Sequence, residues 1–159
     1  MANNVLAGFS GGGGGRPFED RFPADDFEVS ELRIWGGTFI DAIQVIWRKI
    51  SDPTQVVLGV KHGGLGGQLD RPGGLSVLMG SGEYVTSIRG RFGTVVDSLT
   101  VHTNRQTFQK AGGDGGDGGE YVFTPSIDDG RTEIVGFAGR AGDQIDQIGV
   151  YFRARPLAA

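Results

Sequence analysis

Apolar residues recur at every second position in three stretches of the chain. They are Ile43, Val45 and Trp47; Leu99 and Val101, with Thr103 continuing the row as a polar residue; and Ile148, Val150 and Phe152. A period of two sends successive side chains to opposite faces of an extended backbone, so each stretch predicts a strand with one buried face. No long stretch combines a 3.6-residue period with helix caps. The prolines stand in Phe-Pro, Asp-Pro, Arg-Pro and Thr-Pro contexts between the strand candidates, where they act as punctuation. The pattern predicts an all-β chain of three sheets with about four short strands each.

Each apolar row opens on the same nine-residue motif. It reads GTFIDAIQV from Gly37, GTVVDSLTV from Gly93 and GDQIDQIGV from Gly142, all fitting Gly-x-x-[Ile/Val]-Asp-x-[Ile/Leu]-x-Val. Between the motifs lie glycine tracts of the form Gly-Gly-x-Gly-Gly, starting at residues 11, 63 and 115, an even spacing of 52. The third lies in a longer run, GGDGGDGG over residues 112–119, which leaves a second register that puts Gly116 in place of Gly119. Two alternating units, each present three times, define an internal triplication, with repeats at roughly 11–62, 63–114 and 115–159 inside one domain, 1–159. One third of this chain is too small to close a core. Three sheets around a pseudo-three-fold axis would do so, with the apolar rows meeting on it.

Composition narrows the function. Glycine accounts for 30 of 159 residues, but it clusters at fixed places between β-branched segments, which is turn chemistry rather than disorder. The formal net charge is −4 and no block of Lys or Arg stands out, so nucleic acid is not expected as a partner. No apolar run reaches membrane-spanning length, and no membrane insertion is expected. The opening residues lack a basic n-region and an apolar core, and there are no cysteines. The expected location is cytoplasmic, or outside the cell by a non-classical route. His62 and His102 lack metal-ligand spacing, and a surface or strand role is the default for both. No nucleophile motif brings Ser, His and Asp together, and the motif aspartates fall in separate repeats rather than as a glycosidase pair. No catalytic residue, metal or cofactor is therefore expected. Arg89, Arg91 and Arg140, just before two of the motifs, read as solvated strand positions.

The two repeated units together suit a neutral ring bearing adjacent hydroxyls. One carboxylate accepts from two neighbouring hydroxyls through charge-assisted bonds. A rigid turn offers N–H donors without side-chain entropy loss, and glycine lets the ring approach the backbone. Asp41, Asp97 and Asp146 would be the acceptors. The donors would come from Thr38 and Phe39, Thr94 and Val95, and Asp143 and Gln144, in turns opened by Gly37, Gly93 and Gly142. Trp47 and Phe152, at matching repeat positions, are expected in the core rather than as stacking platforms.

On these residues the chain resembles the jacalin-related lectins, mannose-binding type, with griffithsin-like three-fold repeated sites. The resemblance runs from GGGGGRPFED to FAGRAGDQIDQIGVYF. It implies the β-prism I fold, three four-stranded antiparallel sheets about a pseudo-three-fold axis. It also implies a non-enzymatic lectin for mannose/glucose-containing glycans, multivalent and assembled as a homo-oligomer. Each site would pair a motif aspartate with the end of a glycine tract: Asp146 with Gly15, Asp41 with Gly67, and Asp97 with Gly119. The tract at residues 11–15 is continuous with upstream residues, which resembles the uncleaved mannose/glucose type rather than the cleaved galactose type. Only Phe39 is aromatic at the middle of its motif, so the Asp41 site is expected to be strongest. Asp97, facing the irregular acidic tract, is expected to be weakest. The alternatives are a structural or protein-interaction prism with vestigial sites, and a binding module of a larger toxin or glycosidase.

Overall fold

A computed structural model describes residues 4–125 and 130–156. Among the described residues thirteen strands follow one another. They are β1 (Val5–Gly11), β2 (Arg16–Glu19), β3 (Phe27–Gly36), β4 (Ile40–Lys49), β5 (Val56–Leu58), β6 (His62–Gly63), β7 (Leu75–Leu78), β8 (Val85–Phe92), β9 (Ser98–Thr103), β10 (Ala111–Gly112), β11 (Gly119–Phe123), β12 (Thr132–Ala141) and β13 (Ile145–Ala154). They form three antiparallel sheets, ordered β1-β13-β12-β2, β5-β4-β3-β7 and β10-β9-β8-β11. In the second sheet β5 and β6 pair with successive parts of β4, so they form one edge strand broken at residues 59–61. With that break closed, all three sheets share one Greek-key order, in which a central hairpin is flanked by the third strand on one side and the fourth on the other.

The expected apolar rows face inward. Ile43, Val45 and Trp47, Leu99 and Val101, and Ile148, Val150 and Phe152 are all buried. Burying a side chain of this size contributes roughly 1.5–3 kcal/mol, and each sheet supplies such a row to the common core. Trp47 is a core residue whose indole N–H donates to the Val135 carbonyl at 2.9 Å, satisfying its one polar atom. Thr103 is also buried, and its hydroxyl donates to buried Glu83 at 2.7 Å. His62 is buried in strand β6 rather than on the surface. Its Nε2 lies 2.7 Å from Asp20 Oδ1, and its ring stacks on Phe18 at 4.2 Å, joining the second sheet to the first.

The two ends of the prism are held differently. At one end the three central hairpins turn, and the apolar residue before each motif aspartate (Ile40, Val96 and Ile145) is fully buried. Ile40 N–H donates to Val96 O at 3.0 Å, and Val96 N–H to Ile145 O at 2.8 Å, so main-chain bonds link the three turns. At the other end lies a chain of charges. Arg153 donates to Glu133 at 3.0 Å, Arg155 to Glu133 at 3.1 Å and to Glu28 at 3.1 Å, and Arg48 to Glu28 at 2.9 Å. The Arg155 guanidinium also covers the Tyr84 ring at 4.6 Å, so all three sheets are tied there. Burial pushes the Glu133 carboxyl above its ordinary value, while Arg153 and Arg155 pull against that shift.

Candidate carbohydrate site

Both repeated units lie at the same end of each sheet. The Gly-x-x-x-Asp segments are the turns between β3 and β4, β8 and β9, and β12 and β13. Each turn is closed the same way: Gly37 N–H donates to Phe39 O at 3.0 Å, Gly93 to Val95 O at 2.9 Å, and Gly142 to Gln144 O at 2.9 Å. This leaves Thr38, Thr94 and Asp143 exposed at the tips and Phe39, Val95 and Gln144 half-buried beside them. The glycine tracts join the third and fourth strands of the same sheets. The second glycine of each tract is pinned to the carbonyl of the motif aspartate, with Gly12 N–H on Asp146 O at 2.8 Å, Gly64 on Asp41 O at 2.9 Å, and Gly113 on Asp97 O at 3.0 Å.

That pinning fixes the register of the third tract. Gly112 pairs with Ser98 as Gly63 pairs with Ala42 and Gly11 with Gln147. The equivalent tracts are therefore residues 11–15, 63–67 and 112–116. Their first and last glycines all take the left-handed region, with φ of 130° and 69°, 112° and 81°, and 84° and 117°. The expected pairing of Asp97 with Gly119 is corrected. Gly119 lies in β11 opposite Phe92 with open space where a side chain would stand, whereas Gly115 and Gly116 bracket the Asp97 turn. The residues left over, Asp117 and Gly118, form the return into β11, where Gly118 N–H donates to Phe92 O at 2.8 Å.

In all three units the carboxylate fills the space that a tract side chain would need. A methyl group on Gly14 would lie 2.6 Å from Asp146 Oδ2, on Gly66 2.9 Å from Asp41 Oδ1, and on Gly115 3.0 Å from Asp97 Oδ1. Gly15 is likewise against Asp146 and Gly67 against Asp41, with a methyl group 2.7 Å from the carboxylate in each case. The structure thus brings Gly15 to Asp146 and Gly67 to Asp41. The middle tract residues differ: Gly13, a fully exposed Leu65, and Asp114, which is ion-paired with Lys110.

Burial is the main reason that all three carboxyls sit above the ordinary aspartate value of 3.8. Asp97 is the most enclosed, at 5% exposure; Asp117 raises it further and Arg91 opposes. At Asp146 an N–H from Gly142 and the Arg140 guanidinium pull against burial, while Asp143 adds to it. Arg91 and Arg140 are partly exposed strand residues, and their guanidinium groups also brace the tracts. Arg140 donates to the carbonyls of Gly14 and Gly15 at 3.0 and 2.9 Å, and Arg91 to that of Gly116 at 2.9 Å. The recurrence of arginine two residues before the motif glycine was the available signal. Trp35 takes that position in the Asp41 unit, under the Lys61 ammonium at 4.2 Å.

Each of the three units thus holds one ionisable carboxylate between a closed turn and a glycine tract. Among the described residues, no group of three or more His, Cys, Asp or Glu is placed to hold a metal, and no helix is long and apolar enough to cross a membrane. Three Greek-key sheets arranged in this way make up the β-prism architecture. The model of the Jacalin-like lectin domain matches residues 7–151, and the chain belongs to that family of non-enzymatic carbohydrate-binding proteins. Among its relatives, an agglutinin of Castanea crenata is 36% identical over 151 residues, covering 89% of this chain and 44% of the relative. Horcolin of Hordeum vulgare is 32% identical over 156 residues, covering 95% and 98%. Myrosinase-binding protein 2 of Arabidopsis thaliana is 31% identical over 155 residues, covering 89% and 21%. This chain thus spans nearly all of horcolin but under half of the other two. Among solved structures, a mannose binding jacalin related lectin from Ananas comosus superposes with a TM-score of 0.75 at 25% identity, covering 95% of this chain and 98% of that one.

Proposed function

We propose that this lectin domain recognises mannose/glucose-type sugars at up to three places, with Asp41, Asp97 and Asp146 accepting from adjacent sugar hydroxyls. The observation that carries this reading is the threefold recurrence of one cradle, a carboxylate held between a closed turn and the glycine at the fourth position of a tract. The N–H groups of residues 38–39, 94–95 and 143–144 would serve as donors, and the tracts as the opposite wall. The mannose-binding relative from Ananas comosus supports the choice of sugar. Each cradle is open and small, so avidity would come from several sites on one face and from a homo-oligomer. Edge strand β5 and the residues after it leave Val56, Leu58 and Val60 exposed, which suits association.

The test is retention on a mannose matrix and release by free methyl α-mannoside. The combined substitutions Asp41→Asn, Asp97→Asn and Asp146→Asn keep the shape and remove the charge, and are expected to abolish retention. Undiminished retention of the folded triple variant would show that the sites are elsewhere. The competing reading, a protein-interaction prism, draws on the relative named for binding myrosinase. A glycan array without hits, together with a stable protein partner that the triple variant still binds, would favour it.

A further inference from the structure

One cradle has a wall that its own sheet does not supply. Gly113 of the third tract is wedged against the first turn, where a methyl group on it would lie 2.4 Å from Thr38 O. The wedging is cyclic, for Gly12 meets Thr94 O and Gly64 meets Asp143 O, each at 2.3 Å from the same notional methyl group. Each tract therefore separates its own aspartate from the turn of a neighbouring sheet. At the Asp97 cradle this brings in Phe39, which lines a cavity of about 540 Å³ together with Thr94, Val95, Asp97, Gly116 and Asp117. The turns lying against the other two tracts carry Val95 and Gln144 at the position of Phe39, and neither is aromatic.

We propose that Phe39 is a specificity-determining residue of the Asp97 site, where it stacks on the bound sugar, and not of the Asp41 site in whose motif it stands. This rests on the reading of the cradles as sugar sites. A pyranose presents C–H groups on one face, and an aromatic ring beside a carboxylate covers that face while the carboxylate holds the hydroxyls. Main-chain donors at residues 38–39 would still serve the Asp41 site, so one turn would contribute backbone to one site and a ring to the next. The Asp97 site then gains an aromatic wall that the other two lack, which reverses the order of strength expected from the motif alone.

The experiment is a titration of the whole chain with methyl α-mannoside, followed by amide NMR signals of residues 37–41, 93–97 and 142–146 separately. Phe39→Ala is expected to weaken binding read at residues 93–97 by roughly three- to tenfold, the scale of one aromatic contact, and to leave the reading at residues 142–146 unchanged. Phe39→Trp is expected to restore it. Phe39→Leu, which keeps apolar bulk in the turn without an aromatic face, should also bind more weakly at residues 93–97. If Phe39→Leu binds as the parent does, or if Phe39→Ala weakens only the signals of residues 37–41, the assignment of the ring to the Asp97 site is wrong. If the parent chain shows no shift at any of the three turns, the sugar-site reading itself falls.

Discussion

The two ends of this prism achieve precision by opposite means. The end that carries the motif turns is shaped by main chain: glycines in left-handed conformations, N–H groups on carbonyls, and one motif carboxylate per sheet. The far end is shaped by side chains, with Glu133 fully buried between Arg153 and Arg155 and the chain of charges continuing through Glu28 to Arg48. Main-chain geometry leaves an open surface on which a ligand can sit, while buried charge fills its own space and binds nothing further. On the proposed reading, stability and recognition are housed at different ends of the same strands, and substitutions should separate them.

The largest effect should come from the far end. Glu133→Ala leaves the Arg153 guanidinium buried without its carboxylate and is expected to cost about 3–5 kcal/mol of folding free energy. Urea unfolding measures the loss, and mannoside affinity of the molecules that remain folded should not change. If affinity falls in step with stability, the two ends are not independent. At the other end, Gly14→Ala puts a methyl group into the Asp146 carboxylate while its backbone conformation remains ordinary. It should weaken binding at that turn by more than tenfold and shift stability by only about 1 kcal/mol. Gly13→Ala, one residue earlier and facing open space, is the control and should do neither.

A smaller and graded effect follows from pH. Burial raises the folded pKa of Asp41, Asp97 and Asp146, so the neutral acids are favoured in the fold. Their contribution to stability is fully present below the ordinary value of 3.8 and is lost as pH rises through the raised folded values. Sugar binding runs the other way, because it needs the ionised acceptor. Mannoside affinity should therefore decline on mild acidification, starting above the ordinary aspartate range, while circular dichroism shows the fold intact. Asp117→Asn removes a charge that raises Asp97 and should extend binding at that turn to lower pH. Coincident loss of fold and binding would break the separation.

Much of this was legible in the chain. The alternation through Ile43, Val45 and Trp47 and its two counterparts located the central strands and the core, because a period of two has one physical reading. The motif located three turns, because glycine and aspartate at fixed offsets have few other uses. The third tract misled because GGDGGDGG contains two copies of the same five-residue pattern, and only the pairing of Gly112 with Ser98 chooses between them. Arg140 braces carbonyls 125 and 126 residues away, and Arg155 meets Glu28 across 127 residues; no local pattern encodes such distances. Phe39 was assigned to its own motif because sequence groups residues by repeat, while the wedged tract groups them by space.

The first sheet differs from the others in one respect that bears on assembly. Its third and fourth strands, β1 and β2, come at the start of the described chain, whereas its central hairpin, β12 and β13, comes at the end. The second and third sheets are built from neighbours in sequence and can form early, at low loop-closure cost. The first is a clasp, and it shuts only after the rest of the chain is available. Gly14 and Asp146 stand on its two halves, so their cradle comes into being with the last long-range closure. On the proposed reading, sugar binding at that turn would be a readout of completed folding.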